Sequence, residues 1–254
     1  MSPRHLYAAF MLAAVAVFLL ARHVVGNGEL NRLSRLERLA LTLAAFVGGT
    51  FGARLPFVFH VTPEGVSWSA WLADGKTITT GLIGAYLGVE LAKLALGIRA
   101  KTGDAYAIPL ALALAVGRWG CFFNGCCFGV PTHLPWGVDF GDGIRRHPTQ
   151  IYEVLFHAVM AGVLIAIARR GWLKHQRLKF YLIAYFAYRF VSEFIRPEPA
   201  VLWGLTWYQW VALAAIAGLA VQWWAHRTVS HALKADALPH REAAFEPASG
   251  GPIA

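Results

Sequence analysis

The chain has 254 residues, of which 57% are hydrophobic and only 15% charged, with a mean hydropathy of +0.49 and a formal net charge of +9. So few polar side chains cannot cover a soluble globule, and the apolar content with only three cysteines excludes disordered, collagenous and disulfide-scaffold classes. In such a chain a basic balance reflects the cationic loops that set membrane orientation, not nucleic-acid binding.

A hydrocarbon core of roughly 30 Å needs about 20 mostly apolar residues per helix. In chain order the candidates are Leu6–Val25, Leu39–Val61, Ile78–Ile98, Ala105–Phe123, Ile151–Ala168, Phe180–Ile195 and Val201–Trp224. The expected fold is an all-α polytopic membrane helix bundle of about seven transmembrane helices. It occupies 1–226, and a loose polar tail follows over 227–254. The sixth span is short and carries charges. The first could pass for a signal peptide, but no small-residue cleavage site follows it and Arg22, Arg32, Arg35 and Arg38 do. The first, third and fifth loops and the tail hold fourteen basic residues, against five on the other side (Arg4, Lys76, Arg145, Arg146 and Arg196). This predicts an outer N-terminus, a cytoplasmic C-terminus and an outer position for the long Asn124–Gln150 loop. No internal repeat supports an inverted-repeat transporter.

Charges at bilayer depth cost about 2.5–3.5 kcal/mol each on insertion scales, so each is a functional candidate. They are Arg54, Glu90, Lys93, Arg118, Glu153, Arg189 and Glu193, with Asp104 and Arg196 near span ends. Glu90 and Lys93, three apart, have the simple reading of a pair on one helix face. Arg189, Glu193 and Arg196 form a stripe on the sixth span, and Arg118 lies between glycines in Gly117-Arg118-Trp119-Gly120. Guanidinium groups on several helices point to one phosphate-sized anion held within the helices, and beside a bilayer the most abundant such anion is a phospholipid head group.

Cys121, Cys126 and Cys127 form a tight set with three open readings: small buried residues, a disulfide plus a free thiol, or reactive or metal-binding thiolates. His133 and His147 could complete a metal site, although the spacing fits no standard zinc pattern. His147-Pro148-Thr149-Gln150-Ile151-Tyr152-Glu153 opens the fifth span, where Thr149 could cap the helix. Three-residue steps there would align His147, Gln150 and Glu153 on one face.

These residues carry a resemblance. The run from Gly117 to Gly129 resembles the bacterial prolipoprotein diacylglyceryl transferase signature G-R-x-G-N-F-x-N-x-E-x-x-G. Gly52-Ala53-Arg54-Leu55 resembles the family's G-x-R-L, and Thr80-Gly81-Leu82-Ile83-Gly84 partly resembles its H-G-G-L-I-G. Asp104, fourteen residues before Arg118, stands where the family has an aspartate. His147 to Glu153 resembles H-P-[ST]-Q-L-Y-E, Arg189 to Arg196 resembles R-F-x-x-E-F-x-R, and Leu205-Thr206 with Gln209 resembles the closing motif.

The resemblance implies transfer of a diacylglyceryl group from phosphatidylglycerol to the lipobox cysteine of a preprolipoprotein in the bacterial inner membrane, with no cofactor. It implies phosphate roles for Arg118 and Arg189 with Arg196 assisting, and an orienting or proton-handling role for Glu193. Arg54, Asp104, Asn124, Gly125, Gly129, Gln150, Tyr152 and Glu153 would line the substrate site. The chain departs from the pattern at Thr79 and Thr80, which replace a histidine and a glycine, and at Cys121 and Cys126, which replace asparagine and glutamate. Tyr7 stands in the first span without a spacing that ties it to the family's early tyrosine. His147 or a cysteine thiolate would then supply the missing base. The competing readings are a family member with cysteine-based chemistry on a lipid, and a non-catalytic lipid- or metal-binding membrane protein or small transporter.

Overall fold

Among the described residues, seven α-helices and two short hairpins make up a computed structural model. It describes residues 2–26, 28–58 and 77–242, and the side chains of these except 57–58 and 227–242. The end of the predicted second span at Val61, Lys76 and the tail beyond 242 lie outside the described residues. The helices are α1 (Pro3–Val25), α2 (Arg35–Val58), α3 (Ile78–Leu96), α4 (Asp104–Phe123), α5 (Thr149–Arg169), α6 (Arg177–Ser192) and α7 (Trp207–Glu242). Strands β1 (Val138–Asp139) and β2 (Arg145–Arg146) pair antiparallel, as do β3 (Ala200–Leu202) and β4 (Leu205–Thr206). The chain divides into two compact units, Met1–Ile216 and Ala217–Ala254. In the second, residues 217–242 are helical.

Among the described residues, five helices (α1 to α5) are long and apolar enough to cross a membrane. The distribution of side chains is inverted relative to a soluble protein. Leu12, Phe46 and Leu94 are more than 70% exposed, whereas Arg118, Glu153, Arg189 and Glu193 are buried. Apolar groups outside and charges inside suit a hydrocarbon surround. This is a multi-pass, all-α membrane protein.

Two predicted segments differ. The sixth ends as helix at Ser192 and continues as a 3₁₀ turn, Glu193–Ile195. The seventh begins as a hairpin: Trp203 and Gly204 both have positive φ (52° and 74°), the two-residue turn that matches strand twist, and helix starts only at Trp207. The apolar character of Val201 and Leu202 concealed this, because a short apolar run has no helical period of its own. The helix then extends to Glu242, into the stretch read from composition as a loose tail.

Glycines bring α2 and α3 together. A Cβ on Gly84 would overlap the carbonyl oxygen of Gly48 and come 2.9 Å from Gly52 Cα. Small residues at this spacing let two helix backbones touch. Gly84→Ala is therefore expected to cost about 1–3 kcal/mol, as for other overpacked sites. Gly162→Ala, whose Cβ would meet nothing within 4 Å, should be neutral or slightly stabilising because alanine favours helix. Unfolding midpoints of the two variants in one detergent check the contrast. A second pair forms where α1 packs along α4, with Phe10 stacked on Phe123 at 5.3 Å and Met11 over Gly120.

Chain alternation positions the site. α4 runs toward the long loop, α5 returns from it, and α6 runs back toward it. The C-terminal turns of α4 and α6 thus meet the first turns of α5.

Candidate functional site

Glu153, on the second turn of α5, is the centre of the site. Its carboxylate pairs with Arg118 of α4 through Nε, with Arg189 of α6 at 3.0 Å, and with Arg196 beyond α6 at 3.6 Å. Arg189 also reaches Glu193, four residues on at the start of the 3₁₀ turn, at 2.8 Å. Glu193 accepts from Thr206 Oγ1 at 3.4 Å. Gln209 closes this wall, accepting from Thr206 N at 2.8 Å and donating to the Phe190 carbonyl at 3.1 Å.

Three arginines face two glutamates, a net charge of +1, in side chains no more than 10% exposed. Arg189 Nε and Arg196 Nε are buried with no hydrogen-bond partner among the described residues. Buried guanidinium N–H groups with surplus positive charge suit a bidentate oxyanion such as a phosphate.

The long loop is fastened to this cluster. Gly129 N donates to the His147 carbonyl at 2.8 Å, and Val130 N to that of Ile195 at 2.9 Å. A Cβ at Gly129 would come 2.5 Å from Ile195 O, so only glycine fits this crossing. Gln150 Nε2 donates to Cys126 O and Thr149 Oγ1 to Cys127 O, both at 2.6 Å. Thr149 thus holds the loop and does not cap its helix. The helix starts at Thr149, so His147 stands outside it and the expected three-residue alignment survives only for Gln150 and Glu153. His147 Nδ1 is 3.2 Å from the Tyr152 hydroxyl, which also accepts from Trp136 Nε1 at 2.8 Å.

The three cysteines are free, with sulfur atoms within 4.8 Å of one another. Arg118 Nη1 lies 3.9 Å from Cys121 Sγ, so the thiols adjoin the arginine cluster. Of the two thiols beyond α4, Cys127 is the more acidic. Hydrogen bonds with Cys121 and Cys126 stabilise its thiolate, and Arg118 and Arg196 attract it. Hydrogen bonds with Cys121 and then Cys127 push the Cys126 thiol up.

Other sequence candidates lie elsewhere. Asp104 begins α4, fourteen residues or about 21 Å along the helix from Arg118. Its carboxylate accepts from His175 N at 2.5 Å and Arg177 N at 3.0 Å, tying the α5–α6 connection to α4. It is a fastening at the far end, not a wall of the arginine cluster. Glu90 and Lys93 pair at 2.9 Å. Arg54 is half-buried late in α2, Asn124 is exposed at the end of α4, and Gly125 forms the following turn at φ 64°. Thr79 is buried, and Thr80 bonds Thr77, which caps α3.

Two residues near the cluster carried no usable signal. Tyr7 of α1 interacts electrostatically with all three cysteines and with Arg118. His157, one turn beyond Glu153, is fully buried, bonds the Tyr181 hydroxyl through Nδ1 at 2.9 Å, and has no partner at Nε2 among the described residues. A tyrosine in an apolar helix and a histidine four residues past a glutamate are each ordinary in sequence; only the packing of α1 and α5 around α4 gives them a place.

The family model for prolipoprotein diacylglyceryl transferase matches residues 3–225. The chain belongs to this family. It is 33% identical over 214 residues to phosphatidylglycerol–prolipoprotein diacylglyceryl transferase 2 of Streptomyces coelicolor, covering 74% of this chain and 66% of that protein. It is 31% identical over 223 residues to the Bordetella avium phosphatidylglycerol–prolipoprotein diacylglyceryl transferase, covering 82% and 84%. The Clostridium tetani transferase is 31% identical over 169 residues, covering 63% and 68%. The family-like motifs that hold Arg118, Glu153 and Arg189 to Arg196 are thus the ones that converge in space. The departures at Cys121 and Cys126 fall on the same wall.

Proposed function

We propose that this chain transfers the diacylglyceryl group of phosphatidylglycerol to the lipobox cysteine thiol of a preprolipoprotein. The observation that carries the reading is the buried cluster of Arg118, Arg189 and Arg196 around Glu153 and Glu193, with its surplus positive charge. The incoming thiolate attacks the glyceryl carbon, an S–C bond forms, and the C–O bond to phosphate breaks. Negative charge grows on the departing glycerol phosphate, where Arg118, Arg189 and Arg196 stabilise it. Glu153 and Glu193 hold Arg189 in place. His147, half-buried beside the loop, takes the proton of the thiol in place of the histidine replaced by Thr79. Gly129 and Gln150 shape the wall, with Tyr152 behind His147. Asn124, Gly125 and Arg54 lie along the approach of the substrates.

The same reading places the protein in the bacterial inner membrane with seven spans, α6 and α7 adding to the five. The N-terminus is outside, the C-terminus is cytoplasmic, and 1–226 form the transferase domain ahead of the tail. The basic-residue asymmetry supports this orientation. Expression in a strain depleted of its own transferase, read by lipidation of a reporter lipoprotein, tests the activity. Lipidation is expected with this chain and not with Arg118→Ala. Absence of lipidation with the chain present in the membrane, or its persistence with Arg118→Ala, would reject the assignment.

A further inference from the structure

The reaction above uses none of the three cysteines, yet the protein gathers them deliberately. The carbonyls of Cys126 and Cys127 are gripped by Gln150 and Thr149 at 2.6 Å, and the Cys126 thiol donates to Cys121 O at 3.6 Å. Cys127 has φ 65°, a left-handed conformation that a side-chain-bearing residue keeps only where its surroundings impose it. The sulfur atoms are thus brought within 4.8 Å of one another by the fold, not by the chance position of mobile side chains.

Three sulfurs bound at about 2.3 Å to a common ion stand roughly 4 Å apart, so side-chain rotations of under about 1 Å would close the set around one. A complex of three thiolates with a monovalent cation carries two negative charges, and the surroundings oppose them. Arg118 Nη1 is 3.9 Å from Cys121 Sγ. Among the described residues no histidine or carboxylate joins the three sulfurs. Structural zinc asks for four ligands, whereas soft thiolates alone select Cu(I), which is satisfied by few.

We propose that Cys121, Cys126 and Cys127 form a three-thiolate site for a soft monovalent cation, Cu(I). Binding forms three S–Cu bonds and releases three thiol protons to solvent, and neither copper nor sulfur changes oxidation state. The site adjoins the arginine cluster, and metal binding gives it a readout of its own, separate from lipid transfer.

The full-length chain, solubilised in detergent, reduced and stripped of metal, is supplied with Cu(I) under anaerobic conditions and desalted. One copper per chain is expected to remain, with three sulfur neighbours by X-ray absorption. Each single Cys→Ser variant with an unchanged size-exclusion profile should bind Cu(I) at least about 100-fold more weakly in competition with a copper chelator, the upper end of what loss of a supporting residue costs a metal site. Loss of copper on desalting, two or fewer sulfur neighbours, or undiminished binding by the single variants would overturn the site. So would a disulfide among the three in the chain isolated from membranes without added oxidant. The sulfur count is made on the unaltered protein and stands whether or not a variant folds.

Discussion

Arg189→Ala is expected to lower transfer from phosphatidylglycerol to a lipobox peptide by about 10²–10³-fold or more, the loss seen when one oxyanion donor is removed from an active site. It is also expected to destabilise the protein by about 3–5 kcal/mol, because it strips a counter-charge from buried carboxylates. Both effects have one geometric origin: Arg189 holds Glu153 at 3.0 Å and Glu193 at 2.8 Å while its Nε has no hydrogen-bond partner among the described residues. Arg189→Lys should recover part of the stability and little of the rate. One ammonium supplies positive charge but cannot span two carboxylates and still offer a planar fork to a phosphate. Initial rates on the folded fraction, with unfolding midpoints of the same preparations, separate the two losses. A near-normal rate in folded Arg189→Ala would remove the guanidinium cluster from the mechanism.

Much of this site was legible because charges in apolar helices are conspicuous. Arg118, Glu153, Arg189 and Glu193 stand out against their spans, and the long loop between the fourth and fifth spans is marked by its glycines and prolines. Spacing along one helix also placed Arg189 and Glu193 together. The connection between Glu153 and three different arginines was not legible, since it depends on the levels at which α4, α5 and α6 meet. For the same reason Asp104 was grouped with the site. Motif order does not show that fourteen helical residues separate it from Arg118 by about 21 Å, more than half the depth of a hydrocarbon core of roughly 30 Å. The hairpin at Ala200–Thr206 escaped because Val201 and Leu202 are as apolar as a span, while the decisive feature is the positive φ of Trp203 and Gly204. The cysteines showed their proximity in sequence, but not the grip of Thr149 and Gln150 that directs them.

Glu153→Gln makes the sharper test of what the cluster holds. The side chain keeps its shape and loses its charge, so three guanidiniums face Glu193 alone and the net charge rises from +1 to +2. Removal of the charge shared by Arg118, Arg189 and Arg196 should cost about 3–5 kcal/mol, as when one partner of a buried ion pair is removed, and lower the unfolding temperature accordingly. A bound anion can replace the missing charge. Glycerol phosphate, the leaving group of the proposed reaction, is therefore expected to raise the unfolding temperature of Glu153→Gln more than that of the unaltered protein, because a ligand that binds only the folded state stabilises it in proportion to its affinity. Chloride at equal ionic strength should do much less, since it cannot engage two N–H groups of a guanidinium side by side. If glycerol phosphate stabilises neither protein, the arginines are paired for structure alone, and the surplus charge has no phosphate to meet. If it stabilises the variant more strongly, Glu153 acts in the native protein as the internal anion that keeps three guanidiniums together until a phospholipid head group reaches them.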